Sequence, residues 1–477
     1  MRKIIVPLCA SILFSGCASL DPSPDFEAVR AIVAGRVTGD VAWDRERAAA
    51  LEIDQRVERL LAEELTTESA VQVALYRNRA LQAALAEIGI ARAELVQAGL
   101  LQNPVLSADV RFAVGAAGTG ADLTLVQEFL SILQIPLRKR VAEAERDATV
   151  FAVGAAIFEL ATAVREAFYD AQGAEQMVEL GRTAAEATSL SADVARRQHE
   201  AGNLTDLEYA NEQALDADAA LALSDAEVEI LVKRERLTAL LGLSGDETRW
   251  SIARRLPALP PTERDASGLE SLAVSKRLDL AEASQRIQAS AQAVALVRFY
   301  GLLPEASAGV ASEREPDEDG LWSVGPSIEL PIPLFDQRQA RLAAARARQR
   351  QREESFAALA VEVRSEVRLA WAHLDAARSR ATYYEKVVLP LRRKILGETQ
   401  REYNAMQVGV YQLLAAKRGE IEAGRGYIES LRDYWRGRVA LERALGTGLP
   451  LEGGTPVPSS VPEEPPAPAL PPHHHGG

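Results

Sequence analysis

Gln134-Ile135-Pro136-Leu137-Arg138-Lys139-Arg140 has a partner later in the chain, Pro331-Ile332-Pro333-Leu334-Phe335-Asp336-Gln337. In both, interleaved polar and apolar residues give way near the proline to a long run of helix formers. Proline has no N–H to give to a helix or a sheet, so it marks a change of element. Upstream of the first junction, a helical pattern over residues 69–101 ends in Leu101-Gln102-Asn103-Pro104. Upstream of the second, Ala273-Val274-Ser275-Lys276-Arg277-Leu278-Asp279-Leu280 opens a similar pattern ending in Leu302-Leu303-Pro304. Between each helix and its junction lie two β-like segments, expected at residues 105–114 and 123–135 in the first copy and 306–311 and 321–332 in the second. Each junction then opens a helix of about sixty residues, a short Gly-containing break and a further helix of about forty. Pro104, Pro136, Pro304 and Pro333 thus mark matching joints of an internal duplication with a period of roughly 200 residues.

The long helices carry a single apolar stripe. Ile157, Leu160, Val164 and Phe168 follow steps of three and four, as do Phe356, Leu359, Val363, Val367, Ala370 and Leu374. That spacing is close to a coiled-coil seam. Sixty residues of helix extend about 90 Å, so four such segments side by side make a rod. In the β segments, Leu123-Thr124-Leu125-Val126-Gln127-Glu128-Phe129 and residues 321–330 alternate imperfectly. Four strands do not close a barrel alone, and an open edge in lipid leaves backbone groups unsatisfied. Either several chains share one barrel, or the strands form two soluble hairpins packed on the helices.

The chain has 477 residues, with 54 basic and 68 acidic side chains and a net charge of −14. An acid excess argues against nucleic acid as a partner. Two cysteines, Cys9 and Cys17, exclude a disulfide scaffold. No P-loop, Gly-x-Ser-x-Gly elbow, His-Glu-x-x-His or Rossmann glycine run occurs, so an enzyme is not expected. At the start, Arg2 and Lys3 precede a short apolar stretch too short to span a bilayer, the form of a secretory signal. Leu13-Phe14-Ser15-Gly16-Cys17 resembles a bacterial lipobox, which makes Cys17 the lipidated first residue of the mature chain; a standard signal with an incidental cysteine is the alternative. The expected organisation is a signal over residues 1–16, an acylated leader over 17–60 that Pro22 and Pro24 make extended, repeats over 61–255 and 256–446, and a Pro-rich disordered tail over 447–477. His473, His474 and His475 close that tail, as a loose transition-metal ligand set or a neutral feature.

Signal, helix, strand pair, proline junction, very long helix, turn and second long helix, all repeated, resemble the TolC family of outer-membrane efflux channels. The likeness is greatest to its lipoprotein branch, which serves heavy-metal and multidrug pumps. It covers residues 60–446 and rests on Gly99-Leu100-Leu101-Gln102-Asn103-Pro104, Leu137-Arg138-Lys139-Arg140, Ala201-Gly202-Asn203-Leu204-Thr205-Asp206-Leu207, and the stretch from Tyr434-Trp435 to Leu441-Glu442-Arg443-Ala444-Leu445-Gly446. The resemblance implies an α+β membrane protein: a duplicated α-helical coiled-coil barrel continuous with a twelve-stranded β-barrel to which each chain of a homotrimer gives four strands. It also implies a periplasmic adaptor, an inner-membrane RND-type or related pump, outer-membrane lipids around the barrel, no cofactor, and export of metal ions or small toxic compounds. Two alternatives stay open: a type I secretion exit duct for polypeptides, and a structural periplasmic lipoprotein that forms no channel.

By the same resemblance the two helical turns close the tunnel at its inner end. Asp206 matches a position that carries a gate carboxylate, and threefold symmetry crowds three of them around one axis, where they attract a cation. The competing reading makes Asp206 the N-cap of the helix that follows, with Thr205 as rival for that role. The second turn departs from the family pattern: Gln412 and Ala415 stand where acidic residues are usual, so closure there falls to Tyr403, Tyr411 and Gln412. Arg197, Arg401 and Glu402 are candidate salt links across the closed tunnel, or simply a solvated charged face. His199 and His373 lie far apart in sequence, with no ligand cluster around either.

Overall fold

Pro22 and Pro24 begin a helix, in place of the expected extended leader. The computed structural model describes residues 19–43, 47–112, 119–128, 131–263, 265–302, 307–314, 322–330 and 334–449. Helix α1 spans Ser23–Val33 with Pro24 in its first turn, where an N–H has no helical partner to lose. Asp25 in that turn is buried and paired with Arg146 at 2.7 Å, which pins the leader to the first long helix. Further on, Arg36 donates to the main-chain carbonyls of Lys276 and, at 3.0 Å, of Gly446, placing a cation at two helix C-termini of the second copy. Cys17, Pro304, Pro333, His473, His474 and His475 lie outside the described residues.

After α2 (Arg47–Leu61) and the short strand β1 (Glu64–Leu65), the pattern expected as one helix over 69–101 is two, α3 (Thr67–Arg77) and α4 (Arg79–Gly99). Asn78 makes the break. Its Oδ1 accepts from the amide of Leu81 at 3.0 Å, capping α4, and its Nδ2 donates to the Leu240 carbonyl at 2.9 Å. Strands β2 (Val105–Phe112) and β3 (Thr119–Glu128) follow, and then α5, the 70 residues of Ser131–Glu200, about 105 Å long. The strand expected over 123–135 therefore stops early, and Pro136 lies inside a helix instead of at a strand–helix joint. Ser131 and Gln134 are both buried while Ile132 and Leu133 between them are exposed; that spacing of three is helical, and it overrides the apparent alternation. Pro136 sits near the helix start, where its missing N–H costs one bond. Helix α6 (Asp206–Leu241) returns alongside α5, and β4 (Ser251–Ile252) pairs parallel with β1.

The second copy repeats the order: α7 (Leu269–Lys276), α8 (Leu278–Leu302), β5 (Ser307–Arg314), β6 (Ser323–Glu329), then α9 (Gln339–Tyr383), α10 (Leu389–Asn404) and α11 (Val410–Leu445). Strand β5 runs past the expected 306–311, and β6 is shorter than 321–332. Between α9 and α10 the chain widens into a π-turn at Tyr384–Val388, just before Pro390, which has no N–H for an ordinary helical bond. Tyr384 fills the space left by Gly426 on α11. One 18-residue window of α5 is apolar enough to cross a membrane, yet half of it is buried in the protein, where Ile157, Val164 and Phe168 face the core.

Two hydrophobic clusters hold the helices together. One contains buried residues from Val29 to Ile252, the other from Leu256 to Leu449. Each copy ends on a glycine with positive φ, Gly242 and Gly446. A Cβ on Gly242 would lie 2.6 Å from the Arg77 carbonyl oxygen, and one on Gly446 would lie 2.9 Å from Arg277 Cα. Each copy's last turn is thus pressed onto the kink between its own first two helices. Beside the second contact lies a buried ionic knot. Arg438 pairs with Glu263 at 2.5 Å and donates to the Leu449 carbonyl at 2.8 Å; Glu442 receives Arg165 at 2.8 Å and the Leu449 amide at 3.2 Å.

Candidate functional site at the sheet and the helical tips

Strands β2-β3-β5-β6 form one antiparallel sheet in that order, leaving β2 and β6 as open edges. The register sorts most side chains by chemistry, with Gln127 and Arg314 as exceptions on the apolar side and Val105 and Val126 on the polar side. Leu106, Leu125, Val310 and Pro326 form one row of a face; Ala108, Leu123, Ser312 and Val324 form the next, with Val110, Phe112 and Ile328 on the same side. Phe112 is 76% exposed and Ile328 78%. The opposite face carries Ser107, Thr124, Ala311 and Gly325, then Asp109, Asp122, Glu313 and Ser323. Arg111 on that face pairs with Asp122 and lies 3.7 Å from Glu313, offsetting two of the three neighbouring carboxylates. Near the sheet, Pro104 is exposed just before β2.

At the far end of the long helices are the two turns. Helix α5 closes through bonds from Ala201 N to Arg197 O, Gly202 N to His199 O and Asn203 N to Gln198 O. The second copy repeats all three at the equivalent places: Ala405 N to Arg401 O, Met406 N to Tyr403 O and Gln407 N to Glu402 O. Gly202 and Met406 both take the left-handed conformation, at φ +75° and +58°. The first turn has glycine there, whereas the second holds a 94% exposed methionine.

Thr205 takes the N-cap of α6. Its hydroxyl accepts from the Glu208 amide at 3.3 Å, while the Glu208 carboxylate receives the Thr205 amide at 3.0 Å and its hydroxyl at 2.8 Å. These bonds hold the Glu208 carboxyl below the usual carboxylate range. The capping alternative for Asp206 therefore fails: its carboxylate is 98% exposed and 3.4 Å from His199 Nε2. Thr205→Ala is expected to speed hydrogen exchange in the first turn of α6 about fivefold, leaving the equivalent turn of α11 unchanged, as read by mass spectrometry.

Tyr411 is partly exposed, and its hydroxyl accepts from Asn211 Nδ2 at 3.2 Å, linking the two tips. Tyr403 packs with Leu215, Val410 and Leu414, whereas Gln412 is exposed. Arg401 pairs with Glu398 on its own helix at 2.9 Å; among the described residues neither Arg197 nor Glu402 joins an ion pair within the chain. Sequence reading misses Glu212, which is buried in α6 with Oε2 unbonded, and it misses the closeness of His199 to Asp206. The His199 pairing is foreseeable only once a single turn is known to bring the end of α5 beside the start of α6.

A duplicated pair of long helical hairpins ending in a four-stranded amphipathic sheet is the protomer fold of the outer-membrane efflux channels. The sequence model of the outer membrane efflux protein family matches residues 269–447. The chain is 23% identical over 387 residues to the cobalt-zinc-cadmium resistance protein CzcC of Cupriavidus metallidurans, covering 80% of this chain and 90% of that protein. Its fold matches the CmeC outer membrane channel of Campylobacter jejuni with a TM-score of 0.69 at 15% identity, over 87% of this chain and 92% of that one. It matches CusC with a TM-score of 0.67 at 18% identity, over 83% and 92%. The family model thus matches the second half of this chain, and most of the chain has the fold of solved outer-membrane channels.

Proposed function

We propose that three copies close one β-barrel in the outer membrane and one helical tunnel below it, forming the passive conduit of a tripartite metal-efflux system. The observation that carries this is the sheet. One face is mainly apolar and largely exposed, the other mainly polar, and both edges are open. A sheet edge in lipid must be paired, and an even number of alternating strands lets β6 of one copy meet β2 of the next antiparallel. The apolar face then meets lipid and the polar face lines the lumen.

The long helices reach the periplasm, where a periplasmic adaptor joins them to an RND-type or related inner-membrane pump that supplies the energy. The likeness to a cobalt-zinc-cadmium resistance protein supports divalent metal ions as cargo. Acylation at Cys17 anchors the leader. Asp206 and the turn residues Thr205, Tyr403, Tyr411 and Gln412 form the gate, with Arg197, Arg401 and Glu402 as links between copies that open with it.

Deletion of the gene is expected to sensitise cells to cobalt, zinc or cadmium salts more than to dyes and detergents. The wild-type gene should restore growth, and Asp206→Ala should alter the rescue. Sensitivity confined to amphiphiles, or none at all, would overturn the metal assignment.

A further inference from the structure

We propose that His199 and Asp206 form a low-affinity capture site for a divalent transition-metal ion at the tip of the first helical hairpin. This rests on the reading of that tip as the tunnel entrance. The imidazole sets the chemistry. Nδ1 lies 3.1 Å from the carbonyl oxygen of Leu204. A carbonyl can only accept, so Nδ1 carries a proton, and whenever the ring holds no second proton Nε2 presents a lone pair. That lone pair faces Asp206 Oδ1 at 3.4 Å. Two acceptors this close share either a proton on Nε2 or a metal ion, and the spacing allows the second.

The spacing fits a metal ion. Ligands each about 2.0–2.1 Å from a tetrahedral centre stand roughly 3.4 Å apart. A histidine whose second nitrogen donates to a main-chain carbonyl has the orientation usual for metal-bound imidazole. Stacking on Tyr209, with ring centres 5.0 Å apart and 13° between planes, holds the ring in place. The end of α5 adds the partial negative charge of its last carbonyls.

The donor set selects the ion. One imidazole and one carboxylate suit zinc or cobalt(II), and not magnesium, which takes oxygen ligands at shorter, octahedral spacing. Among the described residues no cluster of three or more His, Cys, Asp or Glu side chains is arranged to hold a metal, so this pair supplies two protein ligands and water completes the shell. Weak binding suits a conduit, since an ion held tightly at an entrance does not move on.

The test uses the full-length chain in detergent and the metal salt alone. Diethyl pyrocarbonate acylates neutral imidazole, and mass spectrometry reads each histidine separately, which keeps the tail histidines out of the measurement. Zinc or cobalt at about 1 mM is expected to slow labelling of His199 about fivefold or more, with exposed His373 unaffected and magnesium without effect. Asp206→Asn keeps the shape of the turn and is expected to lose most of that protection. Absence of protection in the wild type, or equal protection in Asp206→Asn, would overturn the site. An unreactive His199 that zinc does not change would show that a proton occupies the gap, which also overturns it. Failure of the growth assay with protection intact would remove the metal-efflux reading and leave the site standing.

Discussion

Replacing Gly309 by valine is expected to remove the protein from the outer-membrane fraction, a loss of about tenfold or more on immunoblots of separated membranes. The reason is local. Gly309 lies in β5 opposite Val126 of β3 and Ser327 of β6, and a Cβ there would run into the carbonyl oxygen of Leu125. That oxygen belongs to the neighbouring strand's backbone and cannot move aside without parting the ladder. Strand β5 lies inside the sheet, so its loss would leave β6 without a neighbour. Gly325 provides the matched control. It sits in β6 on the same polar face, and a Cβ added there would meet nothing within 4 Å. Gly325→Val is expected to reach the membrane at nearly the wild-type level. Equal losses in the two variants would show that backbone freedom, not space, is what glycine supplies at both places.

The second large effect is expected at the ionic knot. Arg438 is 5% exposed and faces the partly buried Glu263, while Glu442 one turn away is 6% exposed. Arg438→Ala leaves two carboxylates short of a partner and frees the Leu449 carbonyl, a change expected to cost about 3–5 kcal/mol of stability. Thermal unfolding of the purified protein measures it. The pH dependence identifies the cause. Burial pushes the Glu442 carboxyl above its ordinary value despite Arg165 and Arg438, so the folded chain holds this proton at pH values where the unfolded chain has released it. In that window, above the usual carboxylate range, stability from this group rises as pH falls. Loss of Arg438 raises the carboxyl further, so the deficit should be largest at neutral pH and narrow on acidification. A deficit independent of pH would assign the damage to lost packing of the arginine stem.

Much of this architecture is legible in the residues. The stripe at Ile157, Val164 and Phe168 has the helical period, and the alternation finds a strand pair in each copy, although the first junction sets the end of β3 seven residues too late. The leader and the first junction mislead because proline reads as a break, although Pro24 sits in a first turn where no bond is lost and Pro136 is tolerated at the cost of one. Asn78 escapes notice because a polar residue in a helical run looks like solvent face until its amide is seen capping one helix and holding another. The tips are the least legible part. Thr205 and Asp206 are both good caps by composition, and only the Glu208 carboxylate reaching back to the Thr205 amide decides between them. Glu212 gives no signal at all, since a glutamate on a charged helix reads as solvent face, yet it is buried.

Gly242 and Gly446 press the end of each copy against its own beginning. A chain segment whose ends meet is a closed circuit, and a closed circuit can be written twice in one gene without stretching any connection. The join between copies then has only to carry the chain from one closed unit to the next, and residues 243–263 do so mostly without helix. Tandem copying of such a unit preserves every internal distance on the first attempt. The two halves are afterwards free to diverge side chain by side chain, as glycine and methionine have done at the two tips.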